Sequence, residues 1–392
     1  MTDTRCKRWR PRSRTGLLAL WIVLLVLAAA LAGCDVGEDA SVVLAPTATR
    51  TPQPTFTPAP AEPSAPTETP TRVPPTAIPF RTPTPAPTPD PNISPLTGLE
   101  IDPELLTRRV LAIRVGNDPS IRPQEGLGAA DIVYEEVMDG WSVTRFTALF
   151  LDSDAARVRP LRSARLSNLT LVPQYDAALV HTGASDPIRW MISQATFVDL
   201  DEFFHPRPYA MLAGYDWRGR IYTSTDAVHT YLESIGKQQD RLIEGYQFDP
   251  TPPSGEPAPL VRIPYPRSSV VHWEYDPATG QYLRYVQGRA HTDALTNEQI
   301  AADNVIIFYT QHRATDIVED SLGSTAIDIV MAGSGRAEVI RDGVMIEARW
   351  RRTAEDSPIL YWDRNMDVIP LRPGKTWIQL VPPDYQIAYD QD

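Results

Sequence analysis

The chain changes rhythm along its 392 residues. Residues 17–32 are apolar without interruption, residues 46–91 have no regular apolar period, and beyond them short apolar runs alternate with breaker clusters. In this last region the runs 110–115, 132–137 and 145–151 are rich in β-branched and aromatic residues and predict short strands. Residues 177–180 lack polar alternation, which predicts a strand buried on both faces. Residues 163–171 carry apolar side chains at helical spacing. Residues 226–235 follow a Ser224-Thr225 cap and stop at Gly236, the marks of a helix start and end.

A breaker cluster, Asp249-Pro250-Thr251-Pro252-Pro253-Ser254-Gly255-Glu256-Pro257, divides this region and reads as a linker or long loop. After it the pattern is mostly β. Runs 270–275 and 281–286 flank Asp276-Pro277-Ala278-Thr279-Gly280, while 336–340 and 345–350 flank Asp342-Gly343, the strongest short hairpin signal in the chain. Residues 304–309, 326–331, 359–362, 368–371 and 377–381 predict further strands of an antiparallel sheet. Thr296 with Gln299 makes a capping-box pattern and predicts one short helix. No internal repeat of fixed length is visible. The expected fold is α+β: a mixed sheet-and-helix layered first domain (94–248), then a β-rich, mainly antiparallel second domain (262–392).

The long apolar run changes the picture. Arg5, Lys7, Arg8, Arg10, Arg12 and Arg14 precede it, and Leu31-Ala32-Gly33-Cys34 closes it as a lipobox. A charged start, an apolar middle and small residues before a cut site mark an export signal. Residues 1–33 are therefore expected to be a signal peptide, and Cys34 the lipidated first residue of the mature chain. Two acyl chains on Cys34 exceed the marginal hold of one, at about 0.8 kcal/mol per buried CH₂. An uncleaved transmembrane anchor is the alternative, although 16 apolar residues fall slightly short of a span. Residues 34–93 then form a Pro/Thr-rich stalk. Proline fixes φ and removes backbone donors, which favours extended polyproline II over helix or sheet. At about 3.1 Å per residue, the roughly 45 residues from Pro46 to Pro91 reach on the order of 140 Å when fully extended. The expected place of work is extracytoplasmic, lipid-anchored to the cell membrane.

Charge and cysteine content exclude several classes. Removing residues 1–33, which carry six basic and one acidic side chain, takes the formal charge from −12 to −17. A chain this acidic is a poor general binder of nucleic acid, and no nucleic-acid partner is expected. Cys6 and Cys34 are the only cysteines, so the folded part has no disulfide, no cysteine-bound zinc and no thiol nucleophile.

Several motifs fall in a familiar order. Pro95-Leu96-Thr97-Gly98, Arg122-Pro123-Gln124-Glu125-Gly126-Leu127, Ala130-Asp131-Ile132-Val133-Tyr134-Glu135, Thr144-Arg145-Phe146 and Arg159-Pro160-Leu161-Arg162-Ser163-Ala164-Arg165 resemble the YerB-like bacterial lipoproteins. Asn304-Val305-Ile306, Gly333-Ser334-Gly335, Asp342-Gly343, Trp350 and Pro373-Gly374-Lys375-Thr376-Trp377-Ile378 continue the likeness, which runs from Ser94 to Val381. The resemblance implies a two-part α+β architecture and no particular reaction, the family being one of unknown function. One departure stands out. Relatives tend to carry Pro-His-Asn before a Leu-Tyr-Thr-Ser segment, whereas this chain has Arg218-Gly219-Arg220 before Ile221-Tyr222-Thr223-Ser224, which puts any role of that family histidine in doubt here.

Candidate chemistry gathers in three places. Arg157, Arg159, Arg162 and Arg165 lie close together in an acidic chain, and Arg162 and Arg165 would share one face of a helix. Guanidinium groups so arranged suit phosphate or carboxylate, and a helix opening near Ser163 would add free N–H groups. The alternative is that local acids (Asp152, Asp154, Glu135, Glu136) pair with them and hold the fold. Glu135, Glu136 and Asp139 end a predicted strand before Gly140-Trp141. Adjacent strand residues face opposite sides, so Glu135 and Glu136 enter one site only where the strand has ended. An acid pair with Trp141 beside it would suit glycoside cleavage. His181, after a buried strand and before Thr182-Gly183-Ala184-Ser185-Asp186, could be drawn into a triad with Ser163 or Ser185, although neither serine has the Gly-x-Ser-x-Gly setting. No His-Glu-x-x-His or phosphate-loop motif is present, and His205, His229, His272, His291 and His312 are too dispersed for a metal site.

These readings favour a non-catalytic, membrane-anchored binding protein with an arginine-rich anion site. Its candidate side chains are Arg145, Arg159, Arg162, Arg165, His181, Glu135, Gln124 and Asn117. An anionic small molecule, a cell-wall fragment or an envelope protein is the expected partner, with no cofactor and no metal. An envelope glycan hydrolase or transferase, and a structural lipoprotein that docks another envelope protein, are the alternatives.

Overall fold

The computed structural model describes residues 92–238 and 243–389, so the lipobox, the apolar run and the Pro/Thr-rich segment up to residue 91 lie outside the described residues. The first half supplies β1 (Leu111–Gly116), β2 (Ile132–Val137), β3 (Thr144–Phe150), α1 (Leu166–Leu171), β4 (Ala178–His181), α2 (Asp186–Ser193), β5 (Val198–Asp201), β6 (Tyr209–Met211), β7 (Ile221–Thr223) and α3 (Thr225–Ser234). The second half supplies β8 (Glu256–Pro257), β9 (Leu260–Ile263), β10 (Val271–Asp276), β11 (Gln281–Val286), β12 (Arg289–Ala290), β13 (Ala301–Ala302) and β14 (Asn304–Tyr309). It ends with β15 (His312–Val318), β16 (Thr325–Ile329), β17 (Gly333–Arg341), β18 (Val344–Arg352), β19 (Leu360–Trp362) and β20 (Thr376–Val381). The fold is α+β and rich in strand.

One sheet runs through both halves, in the order β19-β18-β17-β14-β20-β2-β3-β1-β4-β5, with β8 also paired to β18. Its junction is β20. This strand is parallel to β14, with Thr376 opposite Asn304, and parallel to β2, with Thr376 opposite Ile132. The expectation that residues 377–381 belong to an antiparallel sheet is thus corrected. All six residues of β1, β2, β14 and β20 are buried, as parallel strands covered on both faces require. The strand signal was in the sequence, but its neighbours lie about 70 and 240 positions away, beyond the reach of turn chemistry.

A second sheet, β12-β11-β10-β9 with β13 beside β11, packs on one face of the first. Trp273 of β10 meets Trp377 of β20 edge to face, ring centroids 5.3 Å apart. The other face carries α1 and the turn after it, where the Tyr134 and Tyr175 hydroxyls lie 2.6 Å apart. Alternation along β2 therefore sends Glu135 toward the second sheet and Tyr134 and Glu136 toward the helix layer.

Local chemistry explains the hairpins. Asp342 and Gly343 both take positive φ (52° and 80°), the geometry a two-residue turn needs to follow the strand twist, and β17 and β18 pair along nine residues each. The breaker cluster ends in β8, whose Pro257 sits at an edge where no N–H is required. Three expectations need correction. The first helix begins at Leu166, not Ser163, because residues 158–162 run extended beside β1 and β7. Thr296 and Gln299 open no helix: the Glu298 N–H donates to Thr296 Oγ1, and Gln299 Nε2 donates to the Arg284 carbonyl. Residues 368–371 make only isolated bridges.

Candidate functional site

The strands β1, β4 and β5 are mutually parallel and end together at Gly116, His181 and Asp201. Carboxyl ends of parallel strands are a common place for ligands, because loops leave the sheet there. The extended segment 157–165 crosses these ends. Leu161 bridges Val115, the Arg162 N–H donates to the Arg114 carbonyl, and the Thr182 N–H donates to the Arg162 carbonyl. Arg159, bridged to Glu125, and Arg162 are thereby placed by backbone pairing rather than by a helix face. Arg165 is the extended residue that precedes α1, so it and Arg162 do not share a helix face. The expected helix start at Ser163 is replaced by one at Leu166, where the Arg165 N–H donates to Asn168 Oδ1 and the Asn168 N–H to the Arg165 carbonyl.

Each arginine meets a different environment. Arg159 is buried and donates twice to Glu125 Oε1 (3.0 and 2.7 Å) and once to the Gly219 carbonyl (2.9 Å), while Tyr215 covers its guanidinium at 4.1 Å. Arg157 pairs with the same Glu125. Arg165 donates through Nε to Asp139 (2.6 Å) and holds Glu319 at 3.6 Å. Arg114, unremarked in the sequence, is fully buried between Glu136 (2.6 Å) and Thr147 Oγ1 (2.6 Å). Arg162 has its nearest carboxylate, Asp118, at 3.9 Å; its buried Nε lacks a hydrogen-bond partner and its guanidinium lies 5.4 Å from the Trp217 ring.

Arg145 is the outlier. It is 5% exposed, and its guanidinium donates to the Ser163 carbonyl (3.1 Å) with no carboxylate within 4.0 Å among the described residues. Burial first, then the positive charges of Arg165, Arg114 and Arg162, hold its pKa well below the usual guanidinium value. Burial likewise lowers Arg162. The site thus concentrates positive charge that the local acids do not fully answer.

His181 lies at the same strand ends, but both ring nitrogens are committed: Nδ1 to the Gly183 carbonyl (2.8 Å) and Nε2 to Asp199 (2.7 Å). Neither faces Ser163 or Ser185, so the drawn triad does not form. Asp201, fully buried, accepts from the Gly183 N–H (3.0 Å) and from Arg189 Nε (3.0 Å) and fixes the loop that follows His181.

Glu135, Gln124 and Asn117 are not part of this rim. They lie between the two sheets in a ring of hydrogen bonds. Arg284 donates to Glu135 Oε2 (2.7 Å) and to His291 Nδ1 (2.5 Å), and His291 Nε2 donates to Gln124 Oε1 (2.7 Å). Gln124 donates to Asn117 Oδ1 (3.1 Å), Asn117 to Thr144 Oγ1 (2.7 Å), and Thr144 to Glu135 Oε1 (2.7 Å). All six residues are buried. Burial, then Arg284 and Arg122, lower the His291 pKa strongly, which keeps its Nδ1 an acceptor. The acid pair expected for glycoside cleavage is also divided: Glu135 answers Arg284 on one face of β2 and Glu136 answers Arg114 on the other.

Sequence reasoning missed the aromatic rim. Tyr215 and Trp217 in the β6–β7 connection are exposed beside Arg159 and Arg162, Trp217 by 66%, and Phe203 and Phe204 after β5 are exposed as well. Arg189 lies 5.8 and 5.6 Å from the Phe203 and Phe204 rings. Their signal was aromatics placed among turn-forming and charged residues, as in Asp201-Glu202-Phe203-Phe204-His205 and Tyr215-Asp216-Trp217-Arg218, where no apolar period calls for them.

Comparison with known proteins places this architecture. Two family models match in order: protein of unknown function (DUF3048) N-terminal domain over residues 96–240, and protein of unknown function (DUF3048) C-terminal domain over residues 261–378. A Bacillus subtilis (strain 168) protein named "Putative lipoprotein YerB" is 30% identical over 308 residues, which cover 74% of this chain and 86% of that protein. The crystal structure of YerB protein from Bacillus subtilis matches with a TM-score of 0.66 at 28% identity, over 76% of this chain and 99% of that one.

Proposed function

Because the chain belongs to the YerB-like, two-part DUF3048 family, we propose that it is a lipid-anchored extracytoplasmic binding protein whose head holds an anionic ligand at the carboxyl ends of β1, β4 and β5. The lipobox at Leu31–Cys34 and the Pro/Thr-rich stalk support the anchored placement, as does the name of the Bacillus relative. Among the described residues no helix is long and apolar enough to cross a membrane.

The observation that carries the binding reading is Arg145. A buried guanidinium has five donors to satisfy, and one carbonyl is a poor match for a cation that costs several kcal/mol to desolvate. A phosphate or carboxylate would answer it with charge-assisted, two-pronged bonds. Arg162, with its unpartnered Nε, stands beside it. Hydrolysis lacks comparable support, since Glu135 and Glu136 are buried in separate ion pairs and His181 has no free nitrogen.

A second reading, docking of another envelope protein, draws on the exposed Trp217 beside Arg162 and the exposed Phe203 and Phe204 beside Arg189, since Trp, Tyr and Arg dominate interface hot spots. The test is a thermal-shift series on the full chain in detergent, wild type beside Arg162→Ala/Arg165→Ala, against phosphorylated and carboxylated envelope fragments. A ligand that binds only the native state raises Tm by mass action. A shift in wild type that is lost in the double variant supports the anion site. Equal shifts in both proteins, or none, would sink it and turn the search to protein partners.

A further inference from the structure

The strands β15 and β16 pair only with each other, outside both large sheets. β16 packs on α1 and on the Asp139–Trp141 turn, while most of β15 and the tip residue Leu322 face solvent. The tip is closed by its own groups: the Glu319 N–H donates to the Ser324 carbonyl (2.8 Å), and Asp320 Oδ1 accepts from the N–H groups of Leu322 (2.9 Å) and Ser324 (3.0 Å). The turn has no structural need for the Glu319 side chain. Yet that side chain points inward and is fully buried, with neither carboxylate oxygen in a hydrogen bond.

Its surroundings are those of an anion site. Arg165 lies 3.6 Å away but is already engaged at 2.6 Å by Asp139. The Ser185 hydroxyl faces the carboxylate and helps hold its pKa down without meeting full hydrogen-bond geometry, and the positive charge of Arg145 acts on it from beyond 4.0 Å. Burial raises the Glu319 pKa against the pull of Arg165. With Glu136 on Arg114 and Asp139 on Arg165, Glu319 is, among the described residues, the neighbouring carboxylate with no close ion pair, its nearest guanidinium being Arg165 at 3.6 Å; Asp139 and Glu319 act on Arg145 only from beyond 4.0 Å. A carboxylate held this loosely is open to replacement by an oxyanion that can make short, two-pronged bonds to the same guanidinium groups.

We infer that the Glu319 carboxylate is a tethered stand-in for an external oxyanion, and that a phosphate- or carboxylate-bearing ligand binds Arg145 and Arg165 by displacing it and lifting the β15–β16 hairpin. The inference rests on the anion-site reading above and adds to it the group that the ligand must expel. The hairpin's closing turn and its two strands are held by bonds of their own, and what ties it to the body is the packing of Ile327 and Ile329 of β16 in the core, which the move must loosen.

The experiment uses the full chain in detergent with inorganic phosphate as probe, acetate as the carboxylate arm, and chloride at matched ionic strength as control. Thermal shift reads binding, and hydrogen exchange over residues 312–329 reads the hairpin. Phosphate is expected to raise Tm and to speed exchange of the hairpin amides in wild type. Glu319→Gln is expected to bind phosphate roughly tenfold tighter, a change within reach of one buried charge contact. Arg145→Gln, or Arg145→Lys where the first does not fold, is expected to abolish the response. A response to acetate as strong as to phosphate assigns a carboxylate ligand, and a response to phosphate alone assigns a phosphate. An Arg145-dependent Tm shift with unchanged hairpin exchange and no gain in Glu319→Gln overturns the displacement while leaving the anion site standing. No Arg145-dependent shift in either wild type or Glu319→Gln overturns the site itself. If Glu319→Gln does not fold, the wild-type exchange pattern decides.

Discussion

Arg284 of β11 reaches across the gap between the two sheets and sets its Nη2 2.7 Å from Glu135 Oε2 of β2, both side chains wholly buried. Trp377, Trp273 and Phe146 surround the same guanidinium, the closest ring at 4.6 Å. The two halves of the chain are thus joined by a charge pair inside an aromatic box as well as by the pairing of β20 with β2. Removing one partner leaves a buried charge without an answer. Arg284→Ala is expected to lower stability by about 3–5 kcal/mol, read as a shift in urea midpoint. The double change Glu135→Gln/Arg284→Met should cost clearly less. An Arg284→Ala protein as stable as wild type would mean the pair does not join the halves.

Asp131 gives a pH dependence with a definite sign. Burial, with Asp152 nearby, raises its pKa from 3.8 to about 7, although Ser153 and the N–H groups of Leu151 and Asp152 oppose the shift. The folded state therefore binds a proton more readily than the unfolded one between these values. Its contribution is present below pH 3.8 and is lost as pH rises through about 7. His229 and His291, whose pKa values burial lowers (His229 to about 4), pull the other way below 6.5. The Asp131 effect is best read as the stability difference between wild type and Asp131→Asn, followed by denaturant titration from pH 4 to 8. That difference should move in favour of the variant as pH rises; a flat difference would refute the assignment.

Gly98 tests the family motif Pro95-Leu96-Thr97-Gly98 as a structural device. Its φ is +67°, and a Cβ there would come within 2.2 Å of the Phe248 ring. Its neighbours Ser94 and Thr97 both donate to Asp152, and the Thr97 carbonyl accepts the Gly374 N–H (2.7 Å). Gly98→Ala is expected to cost on the order of 1–3 kcal/mol through strain and repacking. A thermal melt unchanged within error would count against this account.

Trp217 separates binding from folding. It is exposed and touches the site through Arg162. Trp217→Ala should leave stability within about 0.5 kcal/mol of wild type, as surface changes usually do. It should nonetheless weaken whatever ligand the thermal-shift series identifies. Equal affinity in the variant would remove the aromatic rim from the site.

The sequence by itself determined the local elements. β2 and the hairpin on Asp342-Gly343 follow from β-branched runs and turn chemistry, and α3 follows from its Ser224 cap, whose Oγ accepts from the Ala227 N–H (3.1 Å). It also named the arginines and located His181 at the end of a buried strand. Tertiary structure alone decided what those residues meet. Glu135 and Gln124 carry no mark that their partners are Arg284 and His291, 149 and 167 positions away. Arg145 and Arg165 look alike in sequence, yet one has a carboxylate and the other a carbonyl. Periodicity and capping act over a few residues and can be read from spacing. Charge pairing and strand order depend on which distant segments the folded chain brings within a few ångströms, and no local pattern encodes that.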